Sequence, residues 1–552
     1  MIATAAGQLS RLLPRRSDYA DLPRSWRRDI LAGITVGVVA LPLALAFGIS
    51  SGVGAAAGLI TAVVAGLVAA VFGGSHVQVS GPTGAMAVVL APIVAQHGIG
   101  SVALVTVLAG VIVLAAGITG LGRAVTFIPW PVIEGFTLGI AAIIFLQQVP
   151  AAFGVAAPAG QRTLPAAWTV IVHADWSSAW RTLAVVGSIA LFMVGLPRLH
   201  REIPASLAAV VVATVVVVAF HVPVGTIGNL PSHLPAPLMP HADPGALRTL
   251  IGAAVAIAAL AAIESLLSAR VAATMSPTGP YDPDRELVGQ GLASMASGIF
   301  GGMPATGAIA RTAVNVRAGA RTRVSAIVHS LLLLAVVYLA TGPVAAIPLS
   351  ALAGVLIVTS FRMISASTVR KIVRSTRSDA LAFVLTAVVT VCFDLIEAVE
   401  IGILIAAFFA LRTVARRSSV VREDLPGPYQ PGDDEIALLR LDGAMFFGAA
   451  ERLSSAITAH PDVSAVIIRM SQLGMLDATG AHTLAEIAAD LESRGITVII
   501  KGVQPEHMAL LANMGIVEAL RHENHLIDAL DDAIAHARSH VSSQGLSVDA
   551  AG

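Results

Sequence analysis

Twelve apolar runs, near residues 30–49, 52–72, 101–119, 131–149, 180–196, 204–221, 249–268, 286–301, 324–340, 343–360, 378–394 and 397–412, follow one another with few charges inside them. As helices, runs of this length approach the roughly 30 Å of a bilayer's hydrocarbon core. Two further runs, 79–96 and 304–317, are shorter and broken by glycine and proline. Composition agrees: 56% of residues are hydrophobic and 12% charged, against about half and a quarter in a soluble domain. The chain reads as an α-helical membrane protein with 14 transmembrane segments, twelve ordinary and two interrupted, spanning residues 29–417. From residue 412 onward the mixture of charged and apolar residues is that of a soluble domain.

Arginine sets the orientation, because cytoplasmic loops carry the basic excess. With residues 1–28 as a cytoplasmic N-terminal segment, the inner connections hold Arg123, Arg198, Arg201, Arg270, Arg285, Arg317, Arg321, Arg323, Arg362, Arg370, Lys371, Arg374 and Arg377, and Arg162 is the main exception outside. An even number of spans returns the C-terminus to the cytoplasm. The expected location is the inner (plasma) membrane, multi-pass, with both termini cytoplasmic. The polar, basic opening (Arg11, Arg15, Arg16, Arg24, Arg27, Arg28) does not read as a signal peptide. A net charge of zero offers no basic face for nucleic acid. The single cysteine, Cys392, excludes a disulfide framework and a cysteine-based metal site, and its apolar surroundings suggest a buried spectator.

The chain repeats itself. Phe72-Gly73-Gly74 followed by Thr83-Gly84-Ala85-Met86-Ala87 is echoed by Phe300-Gly301-Gly302 followed by Thr306-Gly307-Ala308-Ile309-Ala310. Ile128-Pro129 with Gly135 is echoed by Ile347-Pro348 with Gly354. Two echoes in register indicate a duplication, with copies near 29–222 and 246–412. Seven spans per copy turn the second upside down relative to the first, the inverted repeat of secondary transporters.

The repeated Thr-Gly-Ala elements lie in the interrupted segments. His76 to Gly81 alternates like a strand, and Pro82 suits the first turn of a helix, as Pro304 does in the second copy. Each segment should enter as extended chain and start a short helix in mid-membrane, where irregular backbone is tolerated only around a cavity or inside protein. Two facing helix starts, each worth about half a positive charge, would attract an anion. The alternative is that these glycines and prolines merely kink packed helices. Intramembrane Glu264, in the run Ala262 to Ser268, and Arg311, one turn into the second half-helix, are functional candidates. A purely structural ion pair between them is the competing reading. Glu134 is read as structural or gating, while Asp394, Glu397 and Glu400 should face water.

At Asp29-Ile30-Leu31-Ala32-Gly33, Ser80-Gly81-Pro82-Thr83-Gly84, Pro131-Val132-Ile133-Glu134-Gly135-Phe136, Glu264-Ser265 and Gly302 to Asn315, the chain resembles the SulP family of sulfate permeases, related to prestin and pendrin. The resemblance implies interleaved seven-helix repeats forming core and gate domains, a homodimer in the lipid bilayer, elevator-like alternating access and a C-terminal STAS domain. Carried over by motif, Phe47 lines the anion pocket, Thr83, Gly84, Ala85 and Met86 face Gly307, Ala308 and Ile309 across it, and Arg311 stands behind it. Sodium-coupled bicarbonate carriers of the family use oxygen-bearing residues where Ile309 stands here. Glu264, with Ser268 one turn on, is therefore read as the proton-coupling group: protonating it lets two helix starts and Arg311 balance a divalent anion.

From Glu435 the pattern alternates: strand 436–441, helix 450–460, strand 465–470, helix 481–493, strand 496–501 and helix 505–514, a small α/β STAS domain over 435–540 with a disordered tail at 541–552. Leu476-Asp477-Ala478-Thr479-Gly480 resembles the segment that carries a phosphorylated serine in anti-sigma factor antagonists, which makes Thr479 a regulatory candidate beside the plainer reading of a helix cap. With no nucleophile–base pair or phosphate loop, the chain reads as a transporter and not an enzyme, and no cofactor or metal is expected. The leading function is a proton-coupled symporter of a small anion (sulfate, bicarbonate or a dicarboxylate). The alternatives are an uncoupled exchanger or channel and, lower, a nucleobase permease.

Overall fold

Backbone in lipid must satisfy its own hydrogen bonds, so apolar runs can only cross as helices. The computed structural model describes residues 12–123, 130–158, 161–199, 204–240, 244–392, 419–445, 463–520 and 522–549, with 401, 404 and 408. Its helices in the apolar part are α1 (Leu22–Ser50), α2 (Ala55–Phe72), α3 (Gly84–His97), α4 (Gly100–Ile118), α5 (Trp130–Ala152), α6 (Thr163–Val172), α7 (Trp176–Leu199) and α8 (Ala205–Ala219). The second copy supplies α9 (Pro244–Met275), α10 (Pro283–Ile299), α11 (Ile309–Arg317), α12 (Val324–Leu339), α13 (Thr341–Ala345), α14 (Leu349–Met363), α15 (Ala366–Val373) and α16 (Arg377–Cys392). Thirteen of the 14 expected segments carry one of these helices; the last, 397–412, lies almost wholly outside the described residues.

Not every span is full length. Among the described residues seven helical stretches are long and apolar enough to cross a membrane, one of them α14 taken together with α15, whereas α8 has 15 residues and α12 and α16 have 16. Proline explains two of the late starts: Pro204 and Pro348 occupy the N-caps of α8 and α14, where a missing N–H is harmless. The short helices α6 and α15 are not foreseen from sequence, yet each sits between the fifth and sixth long elements of its copy, so the order of elements repeats.

The packing repeats as well. Helices α1, α2, α4, α9, α10 and α12 associate around the half-helices α3 and α11, while α5, α7, α14 and α16 form a second group. The echoed glycines act in that second group: a Cβ on Gly135 would lie 2.4 Å from the Phe383 carbonyl oxygen, and one on Gly354 would lie 2.9 Å from Ile189 Cβ. The fifth helix of each copy thus presses against the sixth of the other, with glycine permitting the approach. Ile128 and Pro129 lie outside the described residues. The outer surface is apolar, with Leu191, Val211, Val215 and Phe220 exposed and Trp168, Trp176 and Trp180 among them, as lipid contact requires. Cys392 is exposed, not buried; it continues the outward stripe of Leu381, Leu385 and Val388 on α16.

The chain divides into two compact units, Met1–Ala406 and Ala407–Gly552. In the second, β3 (Ser419–Glu423), β4 (Ile436–Met445), β5 (Ala465–Arg469), β7 (Thr497–Lys501) and β8 (Leu526–Ile527) lie side by side in that order, and β6 (Leu473–Leu476) extends the pairing of β4. All pairs are parallel except β3 with β4. Helices α17 (Ala478–Ser493), α18 (Pro505–Asn513) and α19 (Ile516–Ala519) belong to one apolar core and α20 (Leu530–Asp549) to another. The expected helix 450–460 falls outside the described residues. Of the expected disordered tail 541–552, residues up to Asp549 are helical, the continuation of α20, whose Ala533, Ile534, Ala537 and Val541 form an apolar stripe against Ile436, Ile467 and Ile499; residues 550–552 lie outside the described residues.

Candidate functional site

The two interrupted segments meet. Ser80–Gly81 (β1) pairs antiparallel with Thr306–Gly307 (β2), Ser80 opposite Gly307 and Gly81 opposite Thr306. The ladder extends through the Ala308 N–H to the Val79 carbonyl, 2.9 Å. Because the pairing is antiparallel, α3 and α11 leave the crossing in opposite senses with both N-termini beside it. A Cβ on Gly84 would lie 3.2 Å from Phe47 Cε1, so the ring of α1 stands against the start of α3.

The helix starts differ in capping. Thr83 is the N-cap of α3 and accepts the Met86 N–H at 3.4 Å, which leaves the N–H groups of Gly84 and Ala85. On α11 the N-cap is Ala308, which has no capping side chain, so the first-turn N–H groups of Ile309, Ala310 and Arg311 lack a side-chain acceptor. Ile309 and Ala310 are exposed, whereas Ala308 is buried. Met86 is fully buried and offers the site backbone only.

Glu264 of α9 is held where the repeats converge. Its Oε2 accepts from Thr83 Oγ1 at 2.9 Å and from Thr306 Oγ1 at 2.7 Å, and the two hydroxyls are 3.1 Å apart. These threonines stand at the same place in the sequence echo but not in the same structural place, because Thr83 caps α3 whereas Thr306 lies in β2, two residues before the α11 cap Ala308; each half still brings one donor onto a single carboxylate oxygen. Thr306 stands in the repeated motif but is not singled out by sequence reasoning; its place in the Thr-Gly-Ala echo is the signal that marks it. Neighbouring Ser265 Oγ accepts the Gly307 N–H at 3.1 Å.

Arg311 does not pair with Glu264. Its Nη2 donates to the Pro82 carbonyl at 2.7 Å, Nη1 has no partner, and the side chain is 3% exposed. The guanidinium lies behind β1: a Cβ on Gly81, whose φ is +150°, would come within 2.8 Å of Nη1. No salt bridge joins the two residues among the described ones, so a structural ion pair does not account for them; each is held by uncharged partners. Ser268 is buried and its hydroxyl meets Thr312 Oγ1 at 3.1 Å, not Glu264. Thr312 Oγ1 in turn accepts the Val79 N–H at 3.0 Å, so Ser268 braces the strand crossing. Glu134 accepts from Trp130 Nε1 at 3.1 Å within the first turn of α5, away from the crossing. Asp394, Glu397 and Glu400 fall outside the described residues.

In charge terms the crossing combines two helix starts worth about one positive charge together, the buried Arg311 cation and the Glu264 carboxyl. Such a place favours an anion, and its balance depends on whether Glu264 carries a proton. In the second unit, Asp477 caps α17 by accepting the Gly480 N–H at 2.7 Å, and Thr479 is exposed on the first turn. The cap is therefore Asp477, and Thr479 is free of that duty.

Comparison with known proteins bears on these features. Residues 26–386 match the family described as "Sulfate permease family", and residues 430–533 match the STAS domain. The chain is 32% identical to the putative sulfate transporter YvdB of Bacillus subtilis, over 92% of this chain and 97% of that one. It is 30% identical to the bicarbonate transporter BicA of Synechocystis, over 94% and 96% of the two chains. The solved structure of SLC26A9 superposes with a TM-score of 0.83 at 17% identity, over 98% of this chain and 95% of that one, which is a likeness of fold.

Proposed function

Because the chain belongs to the sulfate permease family of multi-pass membrane transporters, we propose that it moves a small oxyanion, sulfate, bicarbonate or a dicarboxylate, together with a proton. The observation that carries the reading is the convergence of Thr83 and Thr306, one from each inverted copy, on Glu264 beside the uncapped start of α11. The anion sits between the starts of α3 and α11, in contact with Phe47 and with the N–H groups of Gly84, Ala85, Ile309 and Ala310. Arg311 supplies positive charge from behind without touching the cargo. Protonated Glu264 removes a negative charge next to the anion, so each ligand strengthens the binding of the other. Release follows when the core group of helices moves against the gate group and opens the site to the other side, an elevator-like alternation. The working unit is a homodimer in the inner membrane with both termini and the STAS domain in the cytoplasm, and Thr479 is a position where phosphorylation would regulate it.

A second reading has support from the same geometry. Three oxygens, from Thr83, Thr306 and Glu264, lie within 3.1 Å of one another, and hard oxygen donors suit a sodium ion as well as a proton. Proteoliposomes separate the readings: uptake of labelled sulfate, bicarbonate and succinate is measured under an inward proton gradient, an inward sodium gradient, or neither. Concentrative uptake driven by the proton gradient alone supports proton coupling; sodium dependence supports the second reading; equal uptake in all three conditions refutes coupling and leaves an exchanger or channel.

A further inference from the structure

Four histidines of the second unit gather where its C-terminal helix crosses the edge of the sheet. His525 ends the 3-10 turn Glu523–His525 that leads into β8. His536 and His540 stand one turn apart on α20. Their rings meet edge to face, with centroids 5.3 Å apart for His525 and His536, 5.3 Å for His525 and His540, and 4.9 Å for His536 and His540. His522 adds a fourth ring 5.7 Å from His525. One ring nitrogen from each of His525, His536 and His540 lies within 4.8 Å of the other two.

Chance packing of imidazoles does not explain the details. His525 has no exposed surface, yet neither of its ring nitrogens has a hydrogen-bond partner, and Nε2 of His536 has none either. Leaving buried polar nitrogens unpaired costs free energy. Neutral imidazoles in a converging set are what a borderline divalent metal requires.

We propose that His525, His536 and His540 form a binding site for a divalent transition metal, zinc foremost, which fastens α20 to the sheet. Nδ1 of His525 faces the buried Glu492 Oε1 at 3.8 Å, so a carboxylate behind the ring leaves Nε2 for the metal. Around a tetrahedral zinc at about 2.0–2.1 Å, ligand nitrogens stand roughly 3.4 Å apart; the three rings reach that spacing from the observed one by side-chain rotation. His522, exposed at the mouth, or a water completes the fourth position. The metal would act on one flank of α20, opposite in character to the Arg538–Asp433 ion pair, with Nε to Oδ1 at 2.8 Å, that already ties the same helix down. Occupancy therefore governs how firmly the last helix of the cytoplasmic-type domain is seated, which makes the site a point at which metal availability acts on this unit.

The test uses full-length protein purified without a polyhistidine tag, stripped with chelator and dialysed against zinc chloride. Wild type should retain about one more zinc per chain than the His536→Gln/His540→Gln variant, both of whose changed side chains are only partly buried. Affinity in each single variant should fall by at least about 10- to 100-fold, the loss that even outer partners of a metal site cause. Zinc should slow amide exchange across residues 522–549 in wild type only. Substituting cobalt provides a readout that needs no variant: wild type should show the intense visible bands of a tetrahedral nitrogen site. Equal zinc content in wild type and the double variant, or a cobalt spectrum of the hydrated ion, overturns the proposal.

Discussion

Gly307 offers a sharp test of the strand crossing. A Cβ added there would lie 1.9 Å from Gln78 Nε2 and 3.1 Å from Ser268 Cβ. Ser268 is fully buried and bonded to Thr312, so Gln78 is the side that must yield. Its Nε2 donates to Glu286 Oε1 at 2.9 Å, and displacing it forfeits a hydrogen bond to a carboxylate, about 1.5–3 kcal/mol. Overpacking the crossing adds about 1–3 kcal/mol. Gly307→Ala should therefore weaken this part of the structure by about 2.5–6 kcal/mol; if about 3 kcal/mol falls on the transport-competent arrangement, uptake drops roughly 100-fold. Anion uptake into proteoliposomes and thermal denaturation in detergent read the two consequences. Combining it with Gln78→Ala makes room for the methyl group, and a double-mutant cycle should return about 1–3 kcal/mol of the overpacking cost. Wild-type uptake by Gly307→Ala, or strict additivity in the cycle, would refute the reasoning.

Four further outcomes are expected. Ala308→Leu places a bulky side chain at the buried N-cap of α11 and should abolish uptake in a protein that still folds, at an overpacking cost of about 1–3 kcal/mol; normal transport would place the site elsewhere. Glu264→Gln mimics the protonated carboxyl in shape and charge, so anion binding should persist while acceleration by an inward proton gradient disappears; continued concentration of anion under that gradient would assign coupling to another group. Asp18 is buried against Arg285, Nη2 to Oδ2 at 2.6 Å, with Arg323 Nε at 3.7 Å. Burial alone would push its carboxyl up, but the Arg285 hydrogen bond, the Arg15 backbone N–H and the Arg323 charge outweigh it and hold it at about 2, below the ordinary 3.8. A depressed carboxyl contributes stability above its unfolded value and loses it as pH falls through the folded one. Asp18→Asn should therefore cost about 3–5 kcal/mol by stranding a buried arginine, the deficit staying constant from about pH 5 to 8 and closing below about pH 4, as read by thermal melts across pH. A chain ending at Arg417 should still bind anion, since the repeated halves complete the membrane unit; loss of binding in a folded truncation would contradict this.

Much of the architecture is legible in the linear chain because lipid leaves few choices. Apolar runs must be helices, and the Thr-Gly-Ala and Pro-Gly echoes place two interrupted segments at equivalent positions, so the membrane fold and the pair of helix starts follow from sequence. The alternating pattern after Glu435 likewise specifies strands 436–445, 465–469 and 497–501 to within a few residues. Other features depend on which parts of the chain come together. That Thr83 and Thr306 share one oxygen of Glu264, that Arg311 turns back to Pro82 and not to Glu264, and that Ser268 braces Thr312 are all set by the antiparallel β1–β2 pairing of segments more than 200 residues apart. The same holds in the second unit: the spacings of His522 with His525 and of His536 with His540 are visible in the sequence, but only the docking of α20 by Ala533, Ile534, Ala537 and Val541 brings the pairs to one point. Periodicity reports how a segment meets its surroundings, lipid or core; it carries no information on which distant segment supplies the partner, and that choice belongs to the packing.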